Sequence, residues 1–211
     1  MLLQLVKKEF LIVKKYVLLM AAVCILFPIF LLWCMPEFAG IFGFGIVTVF
    51  SILMLLQYVS LKETQYPKAS TLLCALPFSR KHIVLSRYIF CIVIYFACCL
   101  MFGIEALLFP TLQSVGCRIP IVLFLLVSLC LSIYLPIQYK VGYEKTKLFF
   151  TVLITATPVG FAQLMKKGIN LKFLSNIHPT LLLFGSLIIS TMLLVISSIL
   201  SIKIYSKTEL A

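Results

Sequence analysis

Six long stretches without a charged side chain are the feature that most constrains the fold. They cover residues 16–36, 38–61, 88–104, 119–139, 148–165 and 173–202. A helix needs about 20 apolar residues to cross the hydrocarbon core, and only a helix lets such a segment satisfy its own backbone groups in lipid. The sequence therefore predicts an all-α integral membrane protein with six transmembrane helices. Apolar flanks adjust the spans to about 16–36, 39–60, 83–108, 119–139, 148–165 and 179–202.

The overall composition excludes a soluble protein. Of 211 residues, 63% are hydrophobic and 11% are charged, and the mean hydropathy is +1.19. Globular domains carry about twice that share of charged residues. The spans use nearly the whole chain, so we expect one transmembrane domain over residues 1–211. Any water-soluble catalytic unit must then belong to another chain.

The basic residues lie mostly on one side of the predicted topology. The net charge is +12, and 14 of the 18 Lys and Arg residues lie before span one, after span six, or in the two connections after spans two and four. Basic residues collect in short cytoplasmic loops. We therefore expect both termini in the cytoplasm (N-in and C-in). Because topology explains the positive charge, we expect no nucleic-acid ligand.

Residues 1–15 are predicted to form an amphipathic interfacial helix on the lipid bilayer. A signal peptide is excluded because the apolar run that follows is too long. At 100° per residue, one arc of about 120° holds most of the polar residues of this helix. They are Gln4, Lys7, Lys8, Lys14 and Lys15. Glu9 lies opposite this arc, where a carboxylate is costly unless it has a partner. Two alternatives stay open for Glu9: a frayed acid in water, or a functional contact.

Residues able to carry catalysis or bind a metal are scarce. The sequence contains no phosphate-binding loop, no H-E-x-x-H motif and no paired intramembrane acids. The eight cysteines form no C-x-x-C pair and have mostly apolar neighbours, which indicates packing. His82 and His178 are expected on opposite sides of the membrane, and Glu105 is expected at the outer interface with a structural role. We predict no catalytic, cofactor or metal site in this chain.

Two predicted cytoplasmic connections are more informative than the spans. The first, LKETQYPKASTLLCALPFSRKHIVLSRY at 61–88, is partly apolar, as a simple linker need not be. Pro67 could open a short helix that ends near Leu76, with Leu72 and Leu73 on its apolar side. Such a helix could insert into a partner's groove or rest on the bilayer. The second connection, IQYKVGYEKTK at 137–147, is basic and aromatic, and Gly142 is available for a turn.

Three segments resemble a known family of membrane proteins. They are LVKKEFLIVKK at 5–15, LCALPFSRKHIVLSRY at 73–88 and QYKVGYEKTK at 138–147. In this order, and on one side of the membrane, they are similar to the ABC-2 type permeases. These are the six-helix membrane subunits of ABC exporters, which work with a separately encoded ATPase.

The resemblance implies roles for the cytoplasmic segments. The helix from Pro67 to Leu76 would be a coupling helix seated in the ATPase, the segment around Gly142 would be a second contact, and residues 1–15 would be a connecting helix. The implied ATPase contacts are Pro67, Leu72, Leu73, Leu76, Arg80, Lys81, Gly142, Tyr143, Glu144 and Lys145.

The resemblance also implies the partners and the function of the chain. A second permease copy or homologue would face the first in the bacterial cytoplasmic membrane, and ATP and Mg²⁺ would bind the partner ATPase. The cargo would be an amphipathic peptide, an antimicrobial or a lipid. Two other functions stay open: a six-span binding or regulatory membrane protein, and an ion-coupled secondary carrier, which the missing intramembrane acids disfavour.

Small residues in span six predict close helix packing. Ser186 pairs with Ser190, and Ser197 with Ser201, at the four-residue spacing that lets helix backbones approach each other in membranes. The spacing leaves open whether the packing lies within one chain or between two.

Overall fold

The chain folds as a set of packed helices. The computed structural model describes residues 2–34, 40–65, 80–109, 118–166 and 179–207. Within these ranges the regular elements are all helices, which confirms the all-α prediction. They are α1 (Leu2–Ile12), α2 (Lys14–Cys34), α3 (Ile41–Gln65), α4 (Arg80–Leu108), α5 (Arg118–Val141), α6 (Tyr143–Lys166) and α7 (Pro179–Lys207).

Five of the described helices are long and apolar enough to cross a membrane. The qualifying segments are Lys14–Cys34, Gly43–Gln65, Lys81–Leu108, Ile119–Val141 and Leu183–Ser206. They overlap five of the six predicted spans, so the chain is a multi-pass membrane protein. The predicted fifth span, 148–165, lies within α6, which is about 36 Å long by helical rise but is not among the five. A sixth span therefore stays a prediction.

Helix α3 lies at the centre of the bundle. Of its most apolar window 67% is buried, whereas only 17% is buried in α2 and in α7. Its buried side chains include Ile52, Leu53, Leu56 and Val59, each at most 1% exposed. Apolar contacts do not drive helix association within lipid, so these side chains stabilise the bundle through close packing. The outward faces of α2 and α7 carry large exposed hydrophobic side chains, among them Leu18, Trp33 and Phe184.

Several helix ends meet at one end of the bundle. Arg87 near the start of α4 contacts Glu63 near the end of α3 and Tyr139 near the end of α5. The ring of Tyr139 lies 5.3 Å from that of Tyr205, near the end of α7. Helix α1 also packs against the start of α4, where the Phe10 and Phe90 rings are 4.7 Å apart. Helix α1 and the end of α7 therefore lie on the same side of the bundle, although the sidedness relative to the cytoplasm stays a prediction.

The serines of span six pack inside the chain. Ser190, Ser197 and Ser201 are at most 2% exposed, and α7 makes its most extensive contact with α5. The Ser197 hydroxyl donates to the Ser132 carbonyl of α5 across 3.1 Å. Tyr88 of α4 lies at hydrogen-bond distance from Ser197 (2.6 Å) and Ser201 (2.9 Å). These small residues therefore bring α4, α5 and α7 of one chain together.

The N-terminal helix is shorter than predicted. Helix α1 ends at Ile12, Val13 interrupts it, and Lys14 and Lys15 belong to the first turn of α2. Backbone hydrogen bonding continues across the break, from the Val13 amide to the Glu9 carbonyl at 3.3 Å and from the Val17 amide to the Val13 carbonyl at 2.9 Å. The Val13 side chain is completely buried, which holds the two helices together at this point.

Candidate functional site

The predicted coupling segment is only partly described. Pro67, Leu72, Leu73 and Leu76 lie outside the described residues. Arg80 is the first residue of α4, and Lys81 after it is exposed. The described part of this predicted contact is therefore the first turn of α4.

The second predicted contact is a tight connection between two helices. Gly142 separates α5 from α6 with φ at +84°, a backbone conformation that suits glycine and disfavours other residues. Its amide donates to the Gln138 carbonyl at 3.1 Å, and its carbonyl accepts from the Thr146 hydroxyl at 2.6 Å. Tyr143 is partly exposed, and Glu144 and Lys145 are exposed in the first turn of α6. The turn thus presents charged side chains just after the end of α5.

A cluster of buried and half-buried charged and polar side chains lies near these exposed turns. We call it the polar cluster. Its members are Lys8, Glu9, Glu63, Ser86, Arg87 and Tyr139. At its centre Arg87, only 5% exposed, forms an ion pair and a hydrogen bond with Glu63. The Lys8 ammonium lies 3.7 Å from the other Glu63 oxygen, so one carboxylate joins α1, α3 and α4.

Glu9 occupies the buried side of α1. It is 3% exposed, and its Oε1 accepts a hydrogen bond of 2.8 Å from the Ser86 hydroxyl. Its Oε2 has no hydrogen-bond partner in the described part of the chain. Burial raises the pKa of Glu9 from 4.5 to about 7, and the positive charge of Arg87 and the Ser86 hydrogen bond only partly offset this effect. Glu9 therefore makes a contact within the protein and is not frayed into water.

Tyr139 extends the polar cluster to α5. The Arg87 guanidinium carbon lies 5.4 Å from the centroid of the Tyr139 ring, within the range of a cation–π interaction. The adjacent Gln138 donates from Nε2 to the Ser60 hydroxyl, and that hydroxyl donates to the Leu56 carbonyl at 3.0 Å. Two neighbouring residues of α5 are thus held by polar side chains of other helices, just before the Gly142 turn.

The lysines of the N-terminal region lie on the outside. Lys7, Lys14 and Lys15 are exposed, whereas Lys8 is half-buried because it reaches Glu63. The buried face of α1 consists of Leu5, Val6 and Glu9, and it packs against α4. The apolar side of this helix therefore contacts protein rather than lipid alone.

Sequence reasoning missed four members of the polar cluster: Glu63, Ser86, Arg87 and Tyr139. The count of 14 basic residues on one side included Arg87 in the connection after span two, yet it lies inside α4 and is buried. One signal was available, because Arg87 falls within the predicted span 83–108, and a charge inside a span is by default a functional candidate. No sequence signal identifies Glu63 and Tyr139 as its partners.

Glu105 at the opposite end of α4 is buried, not at an open interface. It is 4% exposed, and neither of its carboxylate oxygens has a hydrogen-bond partner among the described residues. Nearby, the Cys24 and Cys98 sulfurs lie 3.9 Å apart and the Cys24 sulfur lies 3.4 Å from the Ser51 hydroxyl. Within the described ranges no group of three or more His, Cys, Asp or Glu residues could hold a metal ion.

Comparison with protein families places the chain in one of them. A family model described as "ABC-2 family transporter protein" matches residues 4–206, which is nearly the whole chain and includes every member of the polar cluster. None of the curated proteins and none of the solved structures matches the chain.

Proposed function

Because the chain belongs to the ABC-2 family of transporter proteins, we propose that it is the permease subunit of an ATP-binding cassette exporter. Members of this family are membrane transport subunits that associate with an ABC ATPase and do not themselves hydrolyse ATP. In this proposal the chain lies in the bacterial cytoplasmic membrane, contacts the ATPase through its cytoplasmic turns and moves amphipathic cargo outward. ATP and Mg²⁺ would bind the partner ATPase and not this chain.

The family match is the observation that carries the proposal. The exposed helix ends beside the polar cluster support the proposal that the ATPase binds at this end of the bundle. Lys81 at the start of α4 and Gly142–Lys145 at the start of α6 are accessible, and buried side chains hold the helices behind them. A partner that moves an exposed turn can therefore shift the transmembrane helices that are packed behind it. The coupling helix proposed for residues 67–76 would lie in the connection between the end of α3 and the start of α4, and so at the same end of the bundle.

The proposals of an amphipathic cargo and of a second permease are supported by the apolar surfaces of the bundle. At the end of the bundle opposite the polar cluster, apolar side chains such as Ile104 and Leu107 are exposed, and such a surface suits cargo with an apolar part. Large hydrophobic side chains on α2 and α7 are exposed in the single chain, including Leu26 and Ile188. These faces are available to lipid and to a second permease.

The proposal is tested by isolating the complex. The tagged chain is purified from its native membranes in mild detergent, and its partners are identified by mass spectrometry. We expect an ABC ATPase in stoichiometric amount. The complex, reconstituted in vesicles, should then move a labelled amphipathic peptide only when ATP is supplied on the ATPase side. Transport driven by an ion gradient without ATP would instead support a secondary carrier and contradict the proposal.

A further inference from the structure

Arg87 has an unusual position for a charged residue. It lies in the second turn of α4, six residues after the exposed Lys81, yet it is only 5% exposed. A buried guanidinium is costly unless its charge is paired. Its position therefore requires partners from neighbouring helices.

Each partner of Arg87 belongs to a different helix. Glu63 of α3 forms the ion pair, and the Tyr139 ring of α5 lies 5.4 Å from the guanidinium carbon. Helix α1 makes two contacts with this cluster. Lys8 pairs with the same Glu63 carboxylate, and Glu9 accepts a hydrogen bond from Ser86, the residue before Arg87. The polar cluster, with Arg87 at its centre, thus connects four helices at one end of the bundle.

The stability of the fold does not explain this arrangement. The Arg87 Nε, the Glu9 Oε2 and the Tyr139 hydroxyl have no hydrogen-bond partner among the described residues, so the polar cluster is incompletely satisfied. Apolar side chains of similar volume often give equal or greater stability than a buried ion pair. Charged partners instead fix the relative orientation of the helices that carry them.

We propose that Arg87 is a positioning residue that makes the two exposed turns, at Lys81 and at Gly142–Lys145, move together with α1 as one unit. Tyr139 lies three residues before Gly142, and Arg87 lies less than two turns after Lys81, so a displacement of either turn is passed to the other through the Arg87–Tyr139 contact. This inference rests on the proposed function, because the ATPase would supply the force.

The test uses the purified permease–ATPase complex and compares matched substitutions at the two residues. Arg87→Gln removes the charge, and Tyr139→Leu removes the aromatic face. Tyr139→Phe removes only the hydroxyl, which has no partner among the described residues, and is the control. The readouts are the amount of ATPase bound and the factor by which the permease changes the rate of ATP hydrolysis.

We expect Arg87→Gln and Tyr139→Leu to retain the ATPase in wild-type amount but to weaken the effect of the permease on hydrolysis about fivefold or more. Tyr139→Phe should match the wild type. Arg87→Lys should be intermediate, because Lys keeps the pair with Glu63 but lacks the planar group that stacks on an aromatic ring.

A double variant separates loss of the contact from a general loss of folding. Arg87→Gln combined with Tyr139→Leu should weaken coupling no more than either single change does, because both changes remove the same contact. Normal coupling in Arg87→Gln, or losses that add in a double variant that still binds the ATPase, would overturn the inference. Absence of any ATPase from the wild-type complex is a different result, since it would overturn the proposed function and with it the role of Arg87.

Discussion

The Ser86 hydroxyl donates a 2.8 Å hydrogen bond to the Glu9 carboxylate, and this bond ties the N-terminal helix to the start of α4. Glu9 lies on the side of α1 opposite the exposed Lys7, where an acid would be out of place in a helix resting on lipid alone. In this protein that side faces α4, with Phe10 packed against Phe90. The apparent exception in the amphipathic pattern is therefore a contact between helices.

The first prediction concerns the pH dependence of this contact. Burial raises the pKa of Glu9 from 4.5 to about 7, so between these values the folded chain binds more protons than the unfolded chain. The stabilising contribution of protonated Glu9 is then lost as pH rises through this window. Glu9→Gln should remove this part of the pH dependence and be more stable than the wild type above pH 7, by about 1–2 kcal/mol. Thermal unfolding of both proteins in detergent between pH 5 and 8 measures this difference in stability.

The matched control for Glu9 is Ser86→Ala. It keeps the acid but removes the hydroxyl that favours the charged form. The decline in stability with rising pH should then persist and extend to somewhat higher pH. A Glu9→Gln variant with the same pH profile as the wild type would show that Glu9 is not the titrating group.

The second prediction concerns the serines that join α7 to the bundle. Tyr88→Phe removes the hydroxyl that lies near Ser197 and Ser201, and should lower the free energy of unfolding by about 0.6 kcal/mol and at most about 1.7 kcal/mol. Ser197→Ala should cost more, because the Ser132 carbonyl also loses its donor. Ser198→Ala is the control, since its hydroxyl bonds only within its own helix. Equal stability of all three variants would contradict the proposed packing role.

The positions of the spans could be predicted because the requirement is local. A stretch of about 20 residues either contains charge or does not, and lipid permits only one backbone form for a single crossing. The gaps between charges therefore predicted helices that overlap all six long helices α2 to α7. The break at Val13 was missed, because Lys14 and Lys15 fall on the same polar arc as Lys7 and Lys8 although they belong to α2.

The polar cluster could not be predicted because its partners are distant in sequence. Glu63 and Arg87 are 24 residues apart, and Tyr139 is 52 residues beyond Arg87. A charge at the edge of a span has the same sequence pattern whether it faces a loop, water or another helix. Only helix packing separates these cases, and it places Arg87, near the edge of a predicted span, at the centre of the polar cluster.

The third prediction tests the turn between α5 and α6. Gly142 has φ at +84°, so Gly142→Ala should destabilise the protein by about 1–2 kcal/mol through backbone strain, although no heavy atom lies within 4 Å of the added Cβ position. Gly103 inside α4 also has open space around it and has no positive φ. Gly103→Ala should be stabilising by about 0.5–1 kcal/mol, so the two substitutions are expected to have opposite signs. The same sign for both would show that backbone conformation is not the cause.

The fourth prediction tests the orientation in the membrane. Cys34, the last residue of α2, is exposed, and the predicted topology places it on the outer side with Cys117. In variants with a single cysteine, an impermeant thiol reagent added to intact cells should label Cys34, whereas Cys74 should react only after the membrane is opened. Cys91 is buried and serves as the unreactive control. Labelling of Cys74 from outside would reverse the orientation and remove the proposed ATPase contacts from the cytoplasm.

The fifth prediction tests the contact proposed at the start of α6. Lys145 and Lys147 are exposed after the Gly142 turn, so an acidic surface of the ATPase could pair with them. Replacing both by Glu should weaken the permease–ATPase complex by up to about 1 kcal/mol per pair. The loss should be larger at 50 mM than at 500 mM salt, because the Debye length shortens as ionic strength rises. Lys15→Glu changes the charge of an exposed lysine outside the proposed contact, and should leave the affinity unchanged in both buffers. A loss that is equal at both salt concentrations would indicate misfolding of the turn instead of a lost electrostatic contact.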